Sequence, residues 1–155
     1  MRRLTIFLAS WGYTGYAPFA SGTVGTLAAI PFFWLFARIQ NPTVAVAGCT
    51  VAIALACWVA GNAEKSLGEH DSGIIVIDEV VGYLAATLLL PPTWTVTIVA
   101  FFAFRAFDVW KPFPAAYFDS QVEGGMGVVL DDVVAGLYAN LFTRVVLMLI
   151  EQFRG

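Results

Sequence analysis

The chain has 155 residues, of which 59% are hydrophobic and 12% charged, and its formal net charge is -3. Soluble domains carry about a quarter charged residues, so this composition argues against an ordinary soluble protein and indicates a membrane protein. No basic cluster occurs beyond Arg2 and Arg3, which argues against a nucleic-acid partner. The length predicts a single membrane-embedded domain over residues 1–155.

The N-terminal segment begins with two arginines and a short apolar run. Trp11, Gly12 and Tyr13 end that run early, and no cleavage motif follows, so a removed signal peptide is not expected. We expect a retained segment that lies partly at the membrane interface. Its arginines favour the cytoplasmic side.

Five apolar segments, separated by proline, glycine and polar residues, are predicted to be helices. They cover residues 23–39, 43–61, 77–90, 93–107 and 132–150. We therefore predict an all-α integral membrane bundle of about five apolar helices. The third and fourth segments are shorter than the roughly 20 residues of a straight crossing, so partial insertion of some helices is also compatible with the pattern.

The number of segments predicts which connectors share a side of the membrane. With the N-terminus inside and one crossing per segment, the short connectors 40–42 and 91–92 lie outside. The long polar connectors 62–73 and 108–127 then lie inside. Every carboxylate except Glu151 falls on this cytoplasmic side, and the distribution of lysine and arginine supports the orientation weakly.

Five carboxylates stand beside apolar residues, which is costly near lipid and by default marks a functional site. They are Asp78, Glu79, Asp108, Asp131 and Asp132. Adjacent acids repel each other, and a divalent cation removes the repulsion. Oxygen ligands without a usable cysteine pair favour Mg²⁺ over zinc. The alternative is that the acids only cap helix N-termini, which explains one acid per helix better than adjacent pairs.

Residues 18–26 place small and hydroxyl side chains directly before an apolar helix. Backbone N–H groups at such a start bind phosphate, so the candidate phosphate ligands here are Ser21, Gly22, Thr23 and Thr26. The segment is not a P-loop, because the lysine and the spacing of that motif are missing. A helix cap with glycines for close packing explains the same residues without a ligand.

Three further side chains are candidates for phosphate binding. Arg105 lies one helical turn before Asp108, and Lys111 closes the same helix, so two cations flank an acid. The alternative is that Arg105 pairs with Asp108 while Lys111 reaches lipid headgroups. His70, in the polar connector, is a candidate for proton transfer or phosphate binding, against the alternative of a solvated loop residue.

Four motifs, in this order, resemble the phosphatidylglycerophosphatase A family: ASGTVGTL at 20–27, IDEVVG at 77–82, FRAFDVWKP at 104–112 and DDVVAG at 131–136. The resemblance covers nearly the whole chain from about Gly12. Many members have Pro-Gly-Thr and then Gly-Ser in the first motif. This chain has Ser21-Gly22-Thr23 and Gly25-Thr26, which keeps the hydroxyl and glycine character.

The resemblance implies an all-helical enzyme of the bacterial inner membrane, with its active site facing the cytoplasm. Its expected activity is removal of the terminal phosphate of the membrane lipid phosphatidylglycerophosphate with Mg²⁺. The resemblance implies metal binding by the five carboxylates as a group and leaves their individual roles unassigned. We predict that the same five residues are catalytic, and we favour Asp131 and Glu79. Attack by water and attack by a carboxylate, through an acyl phosphate, both stay open.

A transporter is the rival function from another class. In a small ion-coupled membrane transporter or transporter subunit, the acids would form a cation path and lie deep within the spans. Lys111 and the glycine-rich segment would then have no obvious role.

Overall fold

The computed structural model describes residues 2–69 and 72–154, and all regular structure within these ranges is helical. The α-helices are α1 (Arg2–Ala9), α2 (Ser21–Phe36), α3 (Pro42–Leu67), α4 (Ile77–Thr87), α5 (Trp94–Trp110), α6 (Ala115–Gln121) and α7 (Gly125–Arg154). A 3-10 turn, Thr14–Tyr16, lies between α1 and α2. The predicted all-α class is confirmed.

Each of the five predicted segments is a helix, but α3 and α7 are longer than expected. α3 continues to Leu67, and the left-handed Gly68 (φ 75°) ends it. α7 begins at Gly125, so Asp131 and Asp132 lie in its second turn. The predicted segments 77–90 and 132–150 would place both acid pairs at helix starts, which is right for α4 and wrong for α7.

Close packing on α3 explains the early start of α7. A Cβ atom at Gly125 would overlap the carbonyl oxygen of Cys57 and the backbone nitrogen of Gly61. The two helix backbones touch here, which requires glycine. The glycines before Asp131 thus belong to a helix contact, whereas the local sequence alone is typical of a flexible linker.

Among the described residues, two helices are long and apolar enough to cross a membrane: α3, and α7 over Gly125–Phe153. Only 28% and 22% of the residues in their most apolar stretches are buried inside the protein, so most of this surface faces outward. An apolar exterior of this extent indicates membrane association. A bundle of five crossing helices is not confirmed, because α2, α4 and α5 are shorter.

The short helix α4 is central to the packing. Every residue of α4 except Glu79 is buried. The helix packs against α2, α3, α5 and α7. The Tyr83 ring contacts Phe33 and Phe104 edge-on, and its hydroxyl donates to the carbonyl of Thr97 at 3.0 Å. These contacts hold the start of α4, with its two acids, inside the bundle.

Contacts between helix termini show which ends lie together. Gly22 at the start of α2 lies against Glu79 at the start of α4. Lys111, which caps the end of α5, bonds to Asp131 in α7. The first turn of α7 also lies against the last third of α3. We call this shared region the carboxylate end of the bundle.

The C-terminal end of α4 is closed by a polar cap from the middle of α7. The Asn140 side-chain amide donates to the carbonyls of Ala85, Ala86 and Leu88 at 3.0–3.2 Å. Arg144 donates to the Leu88 carbonyl at 3.2 Å. These bonds satisfy carbonyl groups that the end of α4 leaves unpaired, so they fix the position of α4 along α7.

Two glycines allow α4 and α7 to cross at short range. A Cβ atom at Gly136 would overlap the carbonyl oxygen of Gly82. A Cβ atom at Gly82 would lie 2.7 Å from the Phe104 ring and 2.9 Å from the carbonyl oxygen of Asp132. Backbone atoms cannot yield as the end of a flexible side chain can, so any larger residue separates the helices.

Gly136→Ala is therefore expected to lower the free energy of unfolding by about 1–3 kcal/mol, the usual cost of overpacking. Thermal unfolding in detergent measures the loss. Gly73→Ala is the matched control, since its Cβ would meet Ser21 at an ordinary 3.8 Å. Equal unfolding midpoints for the two variants would show that the crossing is not tight.

Candidate active site

Three carboxylates from two helices form a compact cluster. Asp78 and Glu79 lie in the first turn of α4, and Asp132 lies in the second turn of α7. Their oxygens lie within 4.8 Å of one another. Asp78 and Asp132 are buried, and Glu79 is partly exposed. The close crossing of α4 and α7 thus brings together acids that are more than fifty positions apart in sequence.

Asp108 extends this cluster from a third helix, α5. Its negative charge acts on both Glu79 and Asp132, so it lies beside the cluster. It also pairs with Arg105, with Nη1 and Oδ2 2.5 Å apart. The ion pair that the sequence left as an alternative role for Arg105 is therefore formed. Arg105 also reaches the start of α2, where a Cβ atom at Gly22 would lie 3.2 Å from its Nη1.

Asp131 has a different partner from the other four acids. Its Oδ2 accepts a hydrogen bond from the Lys111 ammonium at 2.7 Å. The same ammonium pairs with Asp119 in α6. Asp131 is thus next to the cluster in sequence but is neutralised by a cation of its own.

Asp119 is a further acid at the candidate site, and the sequence does not predict it. It lies eight positions after Lys111, in the stretch 108–127 that is predicted to be a connector. That spacing in a segment interrupted by Pro112 and Pro114 has no helical or strand period. The sequence therefore contained no pattern that could have identified it.

The electrostatics of the site follow from burial and charge. The pKa of Glu79 is raised, mainly because the residue is buried. The negative charge of Asp108 also raises this pKa, whereas a hydrogen bond with Asp78 lowers it. Burial lowers the pKa of Lys111, but Asp119 and Asp131 raise it by more, so its net pKa is raised. Lys111 therefore stays charged, while Glu79 is costly to ionise without a nearby cation.

The donor set fits a hard divalent cation. Within the described ranges, Glu79 Oε2 and Asp132 Oδ2, both in the cluster, are buried without a hydrogen-bond partner. Burying a carboxylate oxygen without a hydrogen-bond partner costs free energy. A divalent cation that binds the oxygen lowers this cost. The cluster can hold a metal ion, as its oxygen-only composition predicted.

The predicted phosphate ligands of α2 divide into two groups. Ser21, Gly22 and Thr23 form the first turn, next to Glu79, and the preceding Ala20 (φ 47°) provides no side-chain cap for the N–H groups. Thr26 is buried one turn later, and its hydroxyl donates to the Gly22 carbonyl at 2.8 Å. The first turn is thus suited to an anion, and Thr26 bonds within its own helix. His70 lies outside the described residues.

Comparison with known families identifies the family of this chain. The family model described as Phosphatidylglycerophosphatase A matches residues 7–147, which include all five predicted carboxylates. The chain belongs to the phosphatidylglycerophosphatase A family. It is accordingly a phosphatase that acts on a phosphomonoester, and its setting is lipid metabolism and phosphatidylglycerol synthesis. Membership in this family gives no support to the transporter alternative.

Individual relatives cover most of the chain. A Phosphatidylglycerophosphatase A from Escherichia coli (strain K12) is 37% identical over 125 residues, which are 80% of this chain and 72% of the relative. One from Haemophilus influenzae is 35% identical over 121 residues, 77% of this chain and 74% of the relative. A "Putative phosphatidylinositol-3-phosphatase" from Bacteroides thetaiotaomicron is 33% identical over 150 residues, 92% of both chains. No solved structure matches the chain.

The cluster makes a testable prediction about stability. Without a divalent cation, Asp132→Asn is expected to leave the unfolding midpoint unchanged or raise it, because it removes one buried negative charge. Wild-type protein is expected to gain about 2.7 kcal/mol from Mg²⁺ at 100 times its dissociation constant, and the variant to gain far less. Thermal unfolding with and without Mg²⁺ measures both effects.

Glu123→Gln is the matched control, since it removes one negative charge at an exposed position outside the cluster. It should retain the full response to Mg²⁺. An Asp132→Asn variant that responds to Mg²⁺ as the wild type does would rule out the cluster as the cation site.

Proposed function

We propose that this protein hydrolyses the terminal phosphomonoester of phosphatidylglycerophosphate to phosphatidylglycerol and phosphate, with Mg²⁺ as cofactor. The observation that carries the proposal is the convergence of acids from α4, α5 and α7 beside the uncapped first turn of α2. Cation ligands next to an anion-binding helix start suit a phosphate group. The choice of phosphatidylglycerophosphate as the substrate follows from the names of two relatives.

The five carboxylates have distinct proposed roles. Asp78, Glu79 and Asp132 hold the cation, because their oxygens already lie within 4.8 Å of one another. Asp108 adjoins them and orients Arg105 through their ion pair. When bound, Mg²⁺ supplies positive charge at the phosphate and lowers the pKa of a water molecule.

Asp131 is proposed to accept a proton instead of binding the cation. Lys111 already neutralises its Oδ2, whereas its Oδ1 is buried without a hydrogen-bond partner in the described structure. A buried carboxylate oxygen of this kind is suited to take a proton from an attacking water. Direct attack by a carboxylate on phosphorus is the competing route, and ¹⁸O-labelled water in a single turnover distinguishes the two.

The phosphate-binding groups are proposed to surround the cation site. The N–H groups of Ser21, Gly22 and Thr23 face the anion from the start of α2. Arg105 and Lys111 add two positive charges, and a planar guanidinium binds two phosphate oxygens at once. Thr26 supports the turn from within α2, and His70 stays a candidate phosphate ligand.

The proposed setting is the bacterial inner membrane, with residues 1–155 acting as a single membrane-embedded domain and the carboxylate end facing the cytoplasm. Support comes from the outward apolar surfaces of α3 and α7. The carboxylate end includes the first two turns of α7 and the last third of α3, so the site lies near one end of both candidate spans. This position suits a lipid headgroup more than a path through the bilayer.

The direct test is phosphate release from short-chain phosphatidylglycerophosphate in detergent, with and without Mg²⁺. Wild-type protein should release phosphate only with the cation. Short-chain phosphatidylinositol 3-phosphate is the comparison substrate, since the name of the third relative specifies that headgroup class. Faster release from the inositol lipid would overturn the proposed headgroup, and no release from either lipid by folded protein would overturn the proposed activity.

Two adjacent variants separate the proposed roles. Asp132→Asn should lower activity about 10²–10³-fold and raise the Mg²⁺ concentration needed for half-maximal rate. Asp131→Asn should lower kcat by about 10²–10⁴-fold with an unchanged Mg²⁺ requirement. A shifted Mg²⁺ requirement in Asp131→Asn would instead make Asp131 a cation ligand.

A further inference from the structure

Lys111 is held by two carboxylates at the edge of the site. It is the left-handed residue that ends α5 (φ 47°, ψ 57°), and its backbone N–H donates to the Phe107 carbonyl. Its ammonium bonds to Asp131 at 2.7 Å and pairs with Asp119. Asp131 is 7% exposed in its side chain and Asp119 39%, so the ammonium lies between an inner and an outer acid.

The two acids leave the ammonium able to bind a ligand. A lysine ammonium has three N–H donors. Asp131 and Asp119 engage two of them, which leaves a third for a phosphate oxygen. If Asp131 were its sole partner, the Lys111 ammonium would lie closer to that buried acid and would mainly neutralise it. Asp119 draws it outward, towards the exposed edge.

We propose that Asp119 is a positioning residue that holds the Lys111 ammonium at the entrance of the site, ready to bind the phosphate of the lipid. This inference rests on the proposed function. Lysine has many rotamers, and a side chain ordered before binding spares the substrate the entropy of ordering it. The expected effect of Asp119 is therefore on substrate binding, with little effect on the chemical step.

A purely structural role for Asp119 is disfavoured by the other contacts that hold this segment. Ala115, at the start of α6, is fully buried. Just before it, the Phe113 carbonyl accepts a hydrogen bond from the Tyr138 hydroxyl of α7 at 2.9 Å. α6 is thus attached to α7 independently of the Lys111 ion pair, and exchange of one exposed acid should leave it in place.

The test is a set of steady-state measurements with short-chain phosphatidylglycerophosphate and Mg²⁺. Asp119→Asn should raise KM about two- to fivefold, the range expected for a partly exposed ion pair, and change kcat less than about twofold. Asp119→Glu should restore much of the loss, and Glu123→Gln, an exposed acid outside the ion pair, should match the wild type. A wild-type KM in Asp119→Asn would overturn the inference.

A double-mutant cycle with Lys111→Met shows whether Asp119 acts through Lys111. In the Lys111→Met background, Asp119→Asn should have no further effect on KM. Independent, multiplicative effects of the two substitutions would overturn the inference, as would an equal fall in kcat. Unchanged unfolding midpoints should accompany all the Asp119 variants, and a lower midpoint would indicate a structural role.

Calorimetric binding of inorganic phosphate, with Mg²⁺ present, provides a readout that does not depend on turnover. Asp119→Asn should weaken this binding by the same factor by which it raises KM, and equal affinity in both proteins would overturn the inference. A wild-type protein that binds phosphate but releases none from the lipid would overturn the proposed function alone.

Discussion

Buried carboxylates repel one another, and in this protein the crossing of α4 and α7 holds them together against that repulsion. The crossing is close because Gly82 faces Gly136. It is maintained by the nearly complete burial of α4 and by the polar cap from Asn140 at the far end. The packing energy of the bundle thus offsets an unfavourable charge arrangement, which a divalent cation relieves. Without such a cation, repulsion between the acids is expected to lower the stability of the bundle.

The same packing explains why the site lies at one end of the bundle. α4 is short and almost wholly buried, so its two acids do not face lipid. α3 and α7 are long and expose apolar surface, which suits them to membrane association. α7 has both features, since it exposes apolar surface and carries Asp131 and Asp132 in its second turn.

Five of the seven α-helices in the described residues and the three clustered acids could be predicted from sequence because their signals are local, whereas α6 and Asp119 could not. Charged residues within apolar runs stand out, and Asp78, Glu79 and Asp132 do converge. The start of α7 could not be predicted, because Gly125 is helical through its contact with α3, which no local pattern records. The sequence alone left two roles open for Arg105, phosphate binding and an ion pair with Asp108, and the structure shows the ion pair.

If acids from two helices share one cation, anomalous diffraction from crystals that contain Mn²⁺ should locate that ion between the two helices. The expected anomalous peak has carboxylate ligands from both α4 and α7, among Asp78, Glu79 and Asp132. A bound ion with ligands from only one of these helices, or a peak on another surface with none in the cluster, would contradict a shared cation.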